Sequence, residues 1–213
     1  MSKISLKHSG GNVVSLNSPT NAPGAADVAF KLPNADGSAN EFLKTDGSGN
    51  LSFGAVSAGI TMADAWMIDS NFSVGSGEAV ITSNWKRQST GQAAAGVIGS
   101  AMTESSGVFT FPTTGMYLIT TSFSGKHAGN YFGIKTRATT DNYSSSEFSI
   151  CLSYTSTSNS NQYYEVTAQA IFDVTNVSTH KVKFKYESAE AGSINGSSAD
   201  KRSGVTFIRI GDT

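Results

Sequence analysis

The stretch VFTFPTTGMYLITTSFSG, Val108 to Gly125, decides the fold. Phe109 and Phe111 lie two residues apart, so they share one face of a strand. Pro112 has no N–H to give to a ladder and ends that pairing. Gly115 permits the turn, and Tyr117 begins a second strand. A strand, a tight corner and a longer strand therefore follow one another within eighteen residues.

The same rhythm runs outward from this stretch. Strands are predicted over Ala65–Ile68, Glu78–Ile81, Gly96–Met102, Val108–Phe111, Met116–Phe123, Tyr131–Thr139, Glu147–Tyr154, Tyr164–Val174, His180–Tyr186 and Val205–Ile210. In His180–Glu187, Val182, Phe184 and Tyr186 point one way and Lys181, Lys183 and Lys185 the other, which gives one buried and one wet face. In Val205–Ile210 both faces are largely apolar, as in a strand covered on both sides. Short strands separated by turn residues, with no ten-residue helical pattern, indicate an all-β sandwich or jelly roll.

The composition agrees. Charged residues make up 15% of 213 and glycines number 22, a mixture poor in helix formers and rich in turn formers. The formal net charge of -1 gives no broad field to draw nucleic acid or an anionic membrane. The single Cys151 excludes an intramolecular disulfide, and no stretch approaches the roughly 20 apolar residues of a membrane span. No secretory leader is read at the N-terminus, so synthesis in a cytoplasm is expected.

Residues 1–60 differ from residues 61–213. They hold three of the four prolines and a series of short segments, ISLKH, NVVSL, DVAFKLP, EFLKT and NLSFG, each bounded by Gly, Asn, Asp or Pro. Such a segment has too few apolar residues to fold alone. It is expected to be extended and shared between chains, with Phe42, Leu43, Leu51 and Phe53 as its interface.

Signals for chemistry are sparse. In DGSGN, Asp46, Ser48 and Asn50 alternate as in a calcium loop, but Leu51 and Ser57 stand where that loop needs glycine and glutamate, so a plain turn is expected. His8, His127 and His180 have no ligand partner at helical or turn spacing and read as surface or strand-edge residues. Cys151 sits in FSICLSY with Ser149 and Ser153 on one face and Phe148, Ile150 and Leu152 on the other, and reads as a buried thiol. Without a nucleophile elbow, phosphate loop or dinucleotide fingerprint, no enzyme, cofactor or metal is expected. Loops rich in Asn, Ser and Tyr suit a binding surface. Tyr143, Asn161, Tyr163, Lys201 and Arg202 are the candidate receptor contacts.

The run Gly107, Phe109, Phe111, Pro112, Gly115, Tyr117, with the final GVTFIRIG, resembles the hallmark of the C1q-like and tumour-necrosis-factor-like jelly rolls. That resemblance covers residues 61–213. It implies a homotrimer, with Tyr117, Phe123 and Phe207 either at the interface or in the protomer core. Phe30 to Val56 resembles the strand-and-turn segments that precede the tip domain in bacteriophage fibre and decoration proteins, notably of marine phages. Together they imply a virion protein assembled in the host cytoplasm. Its N-terminus would be anchored to capsid, portal, tail or fibre proteins and its tip displayed to host polysaccharide. A decoration protein that stabilises the shell, or a secreted C1q-like module, are the alternatives.

Overall fold

The computed structural model describes residues 3–7, 9–11, 13–17, 24, 29–55, 59–87, 97–127, 129–156 and 162–213. Among them there is no helix. The chain falls into two compact units, Met1–Ala58 and Gly59–Thr213.

The first unit is made of hairpins. Strand β1 (Lys3–Lys7) pairs with β2 (Val13–Asn17), and β3 (Glu41–Thr45) with β4 (Leu51–Ala55). The β3–β4 turn is DGSGN. The Asp46 carboxylate accepts from the Ser48 and Asn50 amides at 2.8 and 3.1 Å and from Asn50 Nδ2 at 2.6 Å. Those bonds hold its pKa below the usual carboxylate range. Gly47 and Gly49 take φ of 80° and 90°, which a side chain would resist. Of DVAFKLP, Lys31 makes an isolated parallel bridge to Asn50 and no strand; Asp27 and Val28 lie outside the described residues.

The second unit contains β5 (Met62–Ile68), β6 (Phe72–Val74), β7 (Gly77–Val80), β8 (Trp85–Arg87), β9 (Thr103–Ser105), β10 (Val108–Thr110), β11 (Gly115–His127), β12 (Tyr131–Thr139), β13 (Phe148–Ser156), β14 (Gln162–Val174), β15 (Lys181–Ser188), β16 (Gly192–Ile194) and β17 (Gly204–Gly211). One sheet runs β13-β12-β15-β10-β9, with β7 also on β15; the other runs β6-β16-β11-β17-β5-β8, with β14 on the free side of β11. We call them the charged sheet and the apolar sheet, after the ion pairs on the outward face of the first and the single apolar row on that of the second. All these pairings are antiparallel.

The Val108–Gly125 motif forms the centre. Ser106 and Gly107, at φ 51° and 84°, make the two-residue turn between β9 and β10, where twist favours positive φ at both positions. A Cβ on Gly107 would stand 2.4 Å from the Ile81 carbonyl, so the position also requires close approach. Phe109 is fully buried, with ring centroids 5.0–5.5 Å from Trp85, Trp66, Phe207 and Phe184, and so ties both sheets together. Phe111 packs at a tilt against Tyr117, ring centroids 4.6 Å apart, and the Tyr117 hydroxyl donates to the Thr113 carbonyl at 2.8 Å and closes the proline corner.

Three expectations are corrected. Gly96–Met102 is not a strand in its described part, 97–102: Ile98 makes only a bridge to Ala63, and pairing starts at Thr103. His127 and His180 are buried, because β11 alternates inward at odd positions and Thr175 and Thr179 hydroxyls lie 3.2 and 3.1 Å from the two His180 nitrogens. His8 lies outside the described residues. In β13 a bulge shifts the register between Thr136 and Arg137, so Phe148 pairs with buried Ala138 but Cys151 with buried Thr136. Alternation therefore breaks at Ile150, and Cys151 and Ser149 face opposite ways. Cys151 is half-buried and burial raises its pKa.

Candidate functional site

Each sheet of the sandwich has one face in the core and one outward, and the two outward faces differ. On the charged sheet, Lys135 stands opposite Lys185, and Arg137 opposite Lys183. Like charges so placed repel. Three carboxylates offset them, Glu78, Glu147 and Glu187. Glu78 takes Lys135 at 2.6 Å and Lys185 at 3.1 Å. Glu147 takes Arg137 at 3.0 Å, Lys185 at 2.8 Å and Lys183. Burial works to raise the Glu147 pKa, but bonds from Lys183, Lys185 and Arg137 outweigh it and hold the pKa at about 2.

At one end of this face, Gly133 leaves room for the Tyr154 ring, whose carbons would lie 2.1–3.0 Å from a Cβ there. The Tyr154 hydroxyl donates to Glu187, which also takes Lys135 at 2.6 Å. Tyr131 stands edge-on to Tyr154 at 6.1 Å and 75°. At the other end, Lys183 lies 4.0 Å over the Tyr143 ring.

The apolar sheet carries a different pattern. Register aligns Ile171 of β14, Leu118 of β11, Ile208 of β17 and Ala63 of β5, and Ala63 bridges to Ile98. Paired residues share a face, so five apolar side chains form one row across the sheet. Ile171 is 59% exposed and Ile98 49%. The row is outward, because its neighbours on β11, Tyr117 and Ile119, are the ones in the core. The second face of β17 is thus only partly covered among the described residues, where Leu118, Ile208 and Ala63 are half-buried. A neighbouring recess of about 350 Å³ is lined by Thr61, Met62, Ser100, Thr113, Thr114 and Arg209.

The structure separates the sequence-derived candidates. Tyr117, Phe123 and Phe207 are each 0% exposed in one chain: they form its core and present no surface to a neighbour. Phe42, Leu43 and Phe53 are exposed and Leu51 is half-buried; Leu43 pairs with Phe53 across the β3–β4 hairpin. Tyr143 is half-buried at φ 59°, its hydroxyl donating to the Arg137 carbonyl at 3.0 Å and its amide to Thr139 Oγ1 at 3.0 Å. Asp141 fastens the same loop, accepting from Ser145 and Ser146 amides at 3.0 and 2.9 Å. Tyr163 projects from β14 with Lys126 4.4 Å over its ring. Lys201 Nζ donates to the Val205 carbonyl at 3.0 Å and Thr206 Oγ1 at 2.7 Å, and burial lowers its pKa to about 8. Arg202 is exposed, 3.9 Å from Asp200. Asn161 lies outside the described residues.

The Tyr131–Tyr154 corner was missed in the sequence. Its one local signal was a glycine inside a strand, Gly133, which marks close approach of another group.

No protein-family model matches the sequence, and no curated protein is similar to it. Solved structures are. Eiger TNF from S. frugiperda superposes at a TM-score of 0.58 and 10% identity, covering 73% of this chain and 96% of that one. Murine APRIL gives 0.52 and 11%, covering 70% and 98%. The fold is a TNF-like jelly roll. The PRD1 vertex protein P5 gives 0.45 and 18%, covering 72% and 99%, too distant to carry an argument.

Proposed function

We propose that the chain is a non-enzymatic, homotrimeric phage virion protein, a short fibre or head projection. Residues 1–60 anchor it to other virion proteins and the jelly roll is displayed to bind a glycan on the host surface. The observation that carries the trimer is the row Ile171, Leu118, Ile208, Ala63 and Ile98. An apolar strip lying on an otherwise polar sheet asks for cover, and a symmetric copy supplies it. The exposed Phe42, Leu43 and Phe53 support a second, N-terminal contact between chains. The virion reading rests on the likeness of Phe30–Val56 to the strand-and-turn segments of phage fibre and decoration proteins. Three copies of one weak site on a rigid trimer gain avidity.

The test is competition. Purified protein added to host cells should block adsorption of the parent virus. Unchanged adsorption, together with particles that lose their genome more readily when the protein is missing, would replace this reading with shell decoration.

A further inference from the structure

If the jelly roll binds a glycan, as proposed, the charged sheet holds the place for it. Four features meet on the outward face of that sheet. Tyr131 and Tyr154 are 39% and 45% exposed, and they stand nearly at right angles. Leu152, 51% exposed, stands opposite Lys135 on the same face. Gly133 stands opposite both Tyr154 and Glu187, and the Tyr154 ring spans it to reach the Glu187 carboxylate. Lys135 joins Glu187 to Glu78 with two contacts of 2.6 Å.

We propose that this corner binds a neutral hexose unit of a surface polysaccharide, with Tyr131 and Tyr154 as the stacking walls and Glu187 and Lys135 as the hydroxyl-reading groups. The site rests on the glycan-binding function proposed for the chain.

The rings are amphipathic, and a sugar's C–H face covers an aromatic face while its hydroxyls need donors and acceptors at the rim. The rim supplies both: Glu187 is a pure acceptor and Lys135 a pure donor. Glu187 Oε1 takes no hydrogen bond among the described residues, so accepting capacity remains. The corner is also set before binding. Tyr154 is fixed by Gly133 beneath it and Glu187 at its tip, so little rotamer freedom is lost on contact. Burial and the Glu187 carboxylate raise the Tyr154 pKa, keeping the phenol a neutral donor.

Charge selects the class. Glu78 and Glu187 balance Lys135 and Lys185, so the corner has no net charge. A sulfated or sialylated chain, or a nucleic acid, would gain nothing and would meet two carboxylates. The sequence-derived Tyr143 offers no such wall, because Lys183 already covers its ring.

The experiment uses the full-length chain on an array of neutral gluco-, galacto- and manno-oligosaccharides printed beside sulfated and sialylated glycans. Neutral spots should bind. Affinity for the best of them, by titration calorimetry, should fall about tenfold or more in Tyr131→Ala and Tyr154→Ala. Gln169→Ala, at an exposed position of β14 on the other sheet, should leave it unchanged. Leu152→Arg removes no packed ring and should block the corner by bulk, which covers the case in which a tyrosine variant fails to fold. Neutral binding that survives Tyr131→Ala and Leu152→Arg would overturn the site while the glycan reading stands. Binding confined to acidic glycans would overturn the ligand class. An array without signal would overturn both the site and the glycan reading.

Discussion

The two outward faces of the sandwich are built from the same alternating strands and meet opposite fates. On the charged sheet, Lys135, Arg137, Lys183 and Lys185 are answered by Glu78, Glu147 and Glu187 within the chain. That face is complete. On the apolar sheet, Ile171, Leu118, Ile208 and Ile98 line up on the outward face, with Ile171 and Ile98 exposed and Leu118 and Ile208 half-buried. A face whose groups satisfy one another is suited to water and to ligands, whereas a face that leaves an apolar strip open is suited to a neighbour.

The contrast can be broken most severely from the inside. Phe109 contacts both sheets, so Phe109→Ala should destabilise the tip by about 3–5 kcal/mol and remove both faces together, measured by denaturant unfolding. Next is Asp64, whose buried carboxylate takes the Trp66 indole at 3.0 Å, the Met102 amide at 2.9 Å and Arg87 at 2.9 Å. Asp64→Ala strands all three, and a loss of about 3 kcal/mol is expected by the same measurement.

Smaller effects separate the faces. The Glu147 pKa is lowered from 4.5 to about 2, so the unfolded chain binds its proton first as pH falls. Stability from Glu147 is complete above pH 4.5 and lost progressively down to about pH 2. Thermal melting of Glu147→Gln should show a lower midpoint at pH 7 and a flatter decline across that window. Lys201, bonded to Thr206 on the apolar sheet, has a slope of the same sign in a higher window, but its shift disfavours the charged form present at pH 7. Its pKa is lowered from 10.5 to about 8, so between those values the unfolded state binds more protons and stability rises with pH. Lys201→Gln should be slightly more stable at pH 7 and should lose that upward slope, checked by melting from pH 7 to 10.

Much of the fold was legible because its determinants are local. Pro112, Gly107 and Gly115 mark turns, and the alternation in Lys181–Ser188 and Tyr131–Thr139 fixes which side is buried. The errors came where register overrides local pattern. FSICLSY alternates cleanly in sequence, yet the bulge at Ile150 exchanges its faces. His127 looks polar in isolation, but its place as the last inward residue of a thirteen-residue strand buries it. The candidate site was less legible. Tyr131, Tyr154 and Glu187 come from three strands and meet only through register across Gly133. Loop composition pointed instead to Tyr143 and Lys201, whose side-chain polar groups are taken up by the adjoining strands β12 and β17.

The central claim is that the apolar row is an interface between copies. Light scattering coupled to size exclusion should give the full-length chain a mass of about 67 kDa, three times 22.2 kDa. Leu118→Lys and Ile208→Lys should lower that mass while leaving the far-ultraviolet spectrum of the fold intact. A wild-type mass of about 22 kDa, or a trimer indifferent to both substitutions, would contradict it.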